Sequence, residues 1–310
     1  MFQFDDNSVV CFLGDSITAN GAFIRRIYDY YRLEKNIKCK LYNCGVPGDR
    51  ANKALWRLEE TVFCYEPTDV VVSFGVNDCG YNIYSIKPLT DTALLERRRL
   101  LDTCINSLRQ IAEKCAAKGI RVTFCSPTLT DELMNFETPC CAGAAAALLE
   151  LSLRIWALSE ELGAGYVDFS FPFRDLALKL SRKGQALVRP DRVHPTEEGH
   201  ELMARLFLKG QGFDVTIPDT WEELHELAQL PHDEWEDRRY QLETEANNNL
   251  YVEWGFGFGR KTPQAMENAI RYRLTEDISD YVRQKLNAYI PDRTVIDRRR
   301  QTLIDFTNTV

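Results

Sequence analysis

The chain has 310 residues, 45% of them hydrophobic and 27% charged, with a formal charge of -8 and a pI near 5.2. That acidic balance argues against nucleic acid or an anionic membrane surface as a partner, since both call for a basic face. No apolar run approaches the ~20 residues of a membrane span. The opening Met1-Phe2-Gln3-Phe4-Asp5-Asp6 lacks the basic start and apolar core of a secretory signal and does not read as one, and the cysteine usage described below points to a cytoplasmic protein.

The first predicted element is a strand over 9–13, a short run rich in β-branched and aromatic residues that stops at Gly14. A helical pattern over 21–31 follows, carried by Phe23, Ile24, Ile27, Tyr28 and Tyr31. Asp15 and Ser16 therefore fall on a strand-to-helix turn, at the carboxyl end of a sheet where open α/β folds bind ligands. A serine at such a junction has two uses. It caps the helix, or it offers its hydroxyl as a nucleophile beside orphan N–H groups that favour developing negative charge.

The pattern then repeats. A strand over 38–44 ends in the turn Gly45-Val46-Pro47-Gly48-Asp49-Arg50 and leads to a helix over 51–62. A third strand over 69–74 ends at Gly75-Val76-Asn77-Asp78, and a polar loop through position 87 precedes a long helix over 91–118. A strand over 120–125, a helix over 144–162, a strand over 165–169 and a helix over 197–209 complete the series. Strands alternating with helices of this length predict βαβ units and a parallel sheet covered on both faces. There is no internal repeat and no low-complexity segment.

Beyond about 211 the composition shifts. Cysteine disappears after Cys141, Glu, Arg, Trp and Tyr become frequent, and helical spacing shows in Trp221-Leu224-Leu227 and in Ile270-Leu274-Ile278-Tyr281-Leu286. The glycines of 255–259 do not follow a strand in a βαβ unit and so do not read as a dinucleotide loop. The expected division is a unit over 1–210 and a mostly helical extension over 211–310. The helix over 197–209 starts beside the histidine loop described next and runs away from it. The extension is thus expected to leave at the far end of the sheet and, unless it doubles back, to meet a neighbour in a homo-oligomer.

The 10 cysteines include no CxxC pair. Cys11 and Cys125 lie in strand runs and Cys104 and Cys115 on a helix face, which reads as reduced thiols used as small hydrophobes. The adjacent Cys140-Cys141 reads as a surface-loop pair, with redox chemistry or a soft metal as the alternative.

A serine nucleophile needs a base, a group that orients the base, and donors for the oxyanion. Of the 4 histidines, His194 lies three residues after Asp191, on a loop held by Pro190 and Pro195. That spacing lets one loop hold both the imidazole and the carboxylate that sets its tautomer. His200 falls inside the following helix and reads as packing or surface, while His225 and His232 lack a partner motif. Gly48 and Asn77, on the turns after the second and third strands, supply a close backbone N–H and a side-chain amide.

Gly14-Asp15-Ser16-Ile17-Thr18, Asn43 to Asp49, Gly75-Val76-Asn77-Asp78 and Asp191-Arg192-Val193-His194-Pro195 together resemble the four sequence blocks of the SGNH, or GDSL-type, hydrolases. The resemblance spans roughly 8–210 and leaves the extension uncovered. It implies a flavodoxin-like three-layer α/β/α sandwich with a five-stranded parallel sheet. It also implies ester hydrolysis by a Ser16, His194, Asp191 triad, with an oxyanion hole made by Ser16, Gly48 and Asn77 and with no metal or cofactor. The family's esters range from short acyl chains and sugar O-acetyl groups to lysophospholipids and thioesters. The acidic chain without an apolar lid favours a small or carbohydrate ester. An acyltransferase on the same machinery and a non-catalytic binding module are the alternatives.

Overall fold

A computed structural model describes residues 3–85 and 90–229. The expectations for the glycine-aromatic segment of 255–259, for the helical spacing over 270–286, for His232 and for the end of the loop at 87 lie outside the described residues.

Five strands, β1 (Val9–Gly14), β2 (Lys40–Gly45), β3 (Asp69–Ser73), β4 (Arg121–Cys125) and β5 (Gly165–Val167), form one parallel sheet in the order β2-β1-β3-β4-β5. Both faces of the central strands are covered, which is why β1 and β3 read as continuous apolar runs rather than alternating ones. From β1 the chain steps outward to β2 and then returns to the other side of β1 as β3. That reversal opens a crevice beyond the carboxyl ends of β1 and β3, where doubly wound sheets bind their ligands.

The helices are α1 (Ser16–Asn20), α2 (Ala22–Asp29), α3 (Ala51–Thr61), α4 (Asp91–Ala116), α5 (Ala144–Leu162), α6 (Ser170–Ser181), α7 (Glu197–Gly210) and α8 (Trp221–Ala228). They pack in two sets, α3 on α4 on α5 and α2 on α7 on α8, giving the three-layer sandwich. Thr90 caps α4 by accepting from the Ala93 N–H, and Leu101, Cys104, Leu108, Ile111 and Cys115 recur at three- and four-residue steps on its buried face.

Three local expectations change. The helix expected over 21–31 is α2 followed by a π turn over Tyr30–Glu34, and a separate helix precedes it: α1 begins directly after β1 because the Asp15 carboxylate accepts from the Ile17 N–H, and the left-handed Gly21 turns the chain into α2. The fifth strand stops at Val167, two residues short. The Phe169 and Ser170 N–H groups bond instead to the Ser126 hydroxyl. The chain then forms α6, which the sequence analysis left unassigned although Phe173, Leu176 and Leu180 bury one helical face.

The start of the extension is built into this unit. Gln211 accepts from the Tyr31 hydroxyl, and Val215 and Leu224 belong to the same apolar core as the sheet. The chain leaves α7 at the far end of the sheet, as expected, where Gln3 donates to the Gln211 carbonyl, and then doubles back along α7. The Arg26 guanidinium bonds both Glu197, at the start of α7, and the Ala228 carbonyl, at the end of α8. His225 reaches Glu198 at 2.7 Å. The physical reason is the apolar stripe of α8, which finds cover along α7, so the chain folds back toward the helix end nearest His194. No described helix is long and apolar enough to cross a membrane.

Candidate active site

The site is assembled at the carboxyl edge of the sheet by the turns that follow successive strands. At the end of β1, Asp15 caps α1 and Ser16 is its first residue. Gly45, at the end of β2, lets α1 lie directly on that strand: a Cβ there would stand 2.2 Å from the Ala19 nitrogen. Gly48 occupies the left-handed region, φ 74°, as the following turn requires.

The Ser16 hydroxyl lies 2.7 Å from His194 Nε2, across 178 residues of sequence. On the other side of the ring, His194 Nδ1 is 2.8 Å from Asp191 Oδ2. The second Asp191 oxygen accepts from the Val193 and His194 N–H groups, both at 2.9 Å, an Asx turn that fixes the carboxylate before it meets the imidazole. Burial raises the Asp191 carboxyl, but those two backbone donors and the His194 ring outweigh it and hold the group below the usual carboxylate range. An ionised Asp191 can only accept, so it receives a hydrogen bond from Nδ1–H and leaves the Nε2 lone pair facing Ser16. Thr196 then caps α7 by accepting from the Gly199 N–H, and the bridge between Val188 and Pro195 closes the loop.

Asn77, on the turn after β3, donates its side-chain amide to the Asp49 carbonyl at 3.1 Å and to Asp15 Oδ2 at 3.4 Å. It thereby joins the residue before Ser16 to the residue after Gly48. These contacts set the Asn77 side chain beside the turns that carry Ser16 and Gly48.

Behind the crevice lies a set of buried charges that sequence reasoning did not assign. Arg57 and Asp49 form an ion pair at 2.9 Å with both side chains at 0% exposure. The guanidinium also donates to the carbonyls of Cys44 and Gly14 and to the Thr61 hydroxyl. Burial raises the Asp49 carboxyl even against Arg57. Burial, with Asp78 and Asp49 nearby, pushes Asp15 up to about 7 against the Ile17 N–H, which lowers it. Burial also pushes Asp78, whose Oδ1 accepts from the Ala51 N–H, up to about 6. The available signal was an arginine at helical spacing among Ala54, Leu58 and Thr61, a charged residue on an otherwise inward face.

His200 is buried packing, not surface. Its ring stacks on Phe23, and burial, followed by the nearby Arg26, drives its pKa down to about 3. His225, which the sequence left without a partner, has Glu198. All ten cysteines are free.

A model of the GDSL-like lipase/acylhydrolase family matches residues 12–202. The chain belongs to that family. It is an ester hydrolase of the SGNH type, as the four blocks implied. A search of curated proteins finds no match. Among solved structures it resembles BT4096, a gut microbial diltiazem-metabolizing enzyme, with a TM-score of 0.77, 18% identity, and coverage of 100% of this chain and 95% of that one. It also resembles Axe2, an acetylxylan esterase from Geobacillus stearothermophilus, with a TM-score of 0.52 at 20% identity over 68% of this chain and 96% of that one. The acetyl xylan esterase AlAXEase gives 0.52 at 22% identity, over 64% and 98%. At these identities the likeness is one of fold, and the family match carries the hydrolase chemistry.

Proposed function

We propose that this acylhydrolase cleaves small acyl esters, carbohydrate O-acetyl esters above all, with Ser16 as nucleophile, His194 as base and Asp191 as its orienting carboxylate. The observation that carries the proposal is the continuous chain from Ser16 Oγ through the ring to Asp191, at 2.7 and 2.8 Å. Ser16 Oγ attacks the ester carbonyl while its proton passes to His194 Nε2. The resulting oxyanion is received by the Ser16 and Gly48 N–H groups and the Asn77 amide. The tetrahedral intermediate collapses, the alkoxide leaves with the proton from His194, and water, activated by the same ring, releases the acid. No cofactor takes part in these steps.

The substrate class rests on two supports. The His194 and Asp191 side chains are half-exposed, at 38% and 47%, which suits an alcohol portion that is itself solvated. Two of the fold relatives are acetylxylan esterases. The ten free cysteines fit a reducing, cytoplasmic setting. The test is an ester series from p-nitrophenyl acetate to long-chain esters and acetylated oligosaccharides, run beside covalent labelling with a fluorophosphonate. Ser16→Ala is expected to abolish both labelling and turnover in a folded protein. Wild-type-like hydrolysis by that variant refutes the assignment.

A further inference from the structure

Arg192 stands between the two residues of the Asp191–His194 pair, and its backbone adopts φ 68°, a left-handed conformation unusual for a side-chain-bearing residue. The side chain is buried, and among the described residues its hydrogen bonds go to carbonyls rather than to a carboxylate. It donates four hydrogen bonds, all to main-chain carbonyls of one segment: Nε to Thr138, one terminal nitrogen to Asp131 and Met134, the other to Phe136, at 2.6, 3.1, 2.9 and 3.1 Å. The guanidinium also sits over the Phe136 ring, 5.2 Å from its centroid. In return, the Asp131 N–H donates to the Arg192 carbonyl at 2.8 Å. A planar fork with five donors can gather carbonyls that point inward from an arch, and an ammonium cannot.

The arch leads from the end of β4 toward α5. At its near end Glu132 accepts from the Gly143 and Ala145 N–H groups, tying it to the start of α5. At its far end Cys141 packs with Tyr81 against Tyr84. Tyr81 in turn feels the Asp191 carboxylate: its hydroxyl is raised by burial first, then by Cys141 and Asp191. Through Arg192, which directly follows Asp191 in the chain, the segment is anchored beside the Asp191–His194 loop. In the proposed chemistry His194 hands its proton to the leaving alkoxide, so the alcohol portion of the ester lies on that side.

We propose that Arg192 is a positioning residue that holds residues 131–141 as the wall against which the leaving alcohol binds, and so sets the enzyme's selectivity for that alcohol. The inference rests on the triad reading given above. The Asp191 carboxylate has its own Asx turn, so loss of the guanidinium releases the wall first.

The experiment compares Arg192→Gly, which keeps the left-handed backbone free of strain, with the parent enzyme on two acetyl esters, p-nitrophenyl acetate and an acetylated xylo-oligosaccharide. The expected result is a KM ratio between sugar ester and aryl ester that rises by about tenfold or more while the kcat ratio moves far less. Added methylguanidine is expected to bring the KM ratio back toward the parent value. An unchanged ratio overturns the inference, and so does an equal kcat loss on both esters, which would confine Arg192 to holding the catalytic loop. Should Arg192→Gly fail to fold, Arg192→Lys is examined by hydrogen exchange. Faster exchange confined to the amides of 131–141 supports the inference, and exchange at the parent rate there overturns it. Ser16→Ala, assayed in parallel, separates the two levels: activity in that variant defeats the triad, whereas an unmoved KM ratio in a Ser16-dependent enzyme defeats only the role of Arg192.

Discussion

Arg57→Met removes the charge from the pair behind the crevice while keeping most of the side-chain volume. Arg57 and Asp49 are both at 0% exposure, so no solvent replaces the lost partner. The change strands the Asp49 carboxyl and takes a donor from the Cys44 and Gly14 carbonyls at the ends of β2 and β1. Breaking a buried pair by removing one member costs about 3–5 kcal/mol, because the remaining charge is left uncompensated. For a unit of this size that corresponds to a drop in Tm of about 6–20 °C. Once Arg57 is gone, only the Arg50 N–H and the Lys53 charge oppose the burial that already raises Asp49, so the carboxyl escapes by taking a proton. The deficit should therefore shrink as pH falls. Asp49→Asn added to Arg57→Met removes the stranded charge and should recover part of the loss. Activity should fall as well, since the Asp49 carbonyl holds the Asn77 amide. Urea unfolding followed by circular dichroism at neutral pH is the assay. A loss below about 1 kcal/mol, or a double variant no more stable than the single one, refutes the reasoning.

Three further outcomes are expected. Asn77→Ala should lower kcat by about 10²–10³ with fluorophosphonate labelling of Ser16 retained, as for removal of one oxyanion donor; parent-like kcat would take Asn77 out of the hole. Asp15, raised to about 7 in the fold, keeps its proton where the unfolded chain has lost it, so the stability it contributes is full below the ordinary carboxylate pKa and is lost as pH rises through 7. Asp15→Asn, which cannot ionise, should flatten stability between pH 4 and 7, and a slope equal to the parent's in chemical denaturation would contradict the assignment. Leu224→Ala, at a fully buried position of α8, should cost about 2–5 kcal/mol in urea unfolding, and a negligible cost would mean that α8 is not part of the core.

Much of this enzyme was legible in the order of its residues. Apolar runs of strand length alternating with helical periods determined a parallel sheet, because a strand covered on both faces has no reason to alternate. The Asp191–His194 pair was legible for a local reason: three residues and an Asx turn suffice to set carboxylate against imidazole. What the tertiary structure alone decided is whatever depends on which strands become neighbours. The order β2-β1-β3-β4-β5 sets the turns after β1 and β3 side by side, so that Asn77 reaches Asp15, and the loop leading into α7 brings His194 to Ser16. Arg57 stood at helical spacing on an inward face, but its partners were not legible, and Arg192, on a loop, carried no periodic signal at all, since a charge that will be buried against distant carbonyls looks like any surface arginine until those carbonyls are placed. The return of α8 belongs to the same class. Its apolar stripe was visible at Trp221, Leu224 and Leu227, but a stripe states only that cover is needed, and the partner that provides it is chosen by the fold.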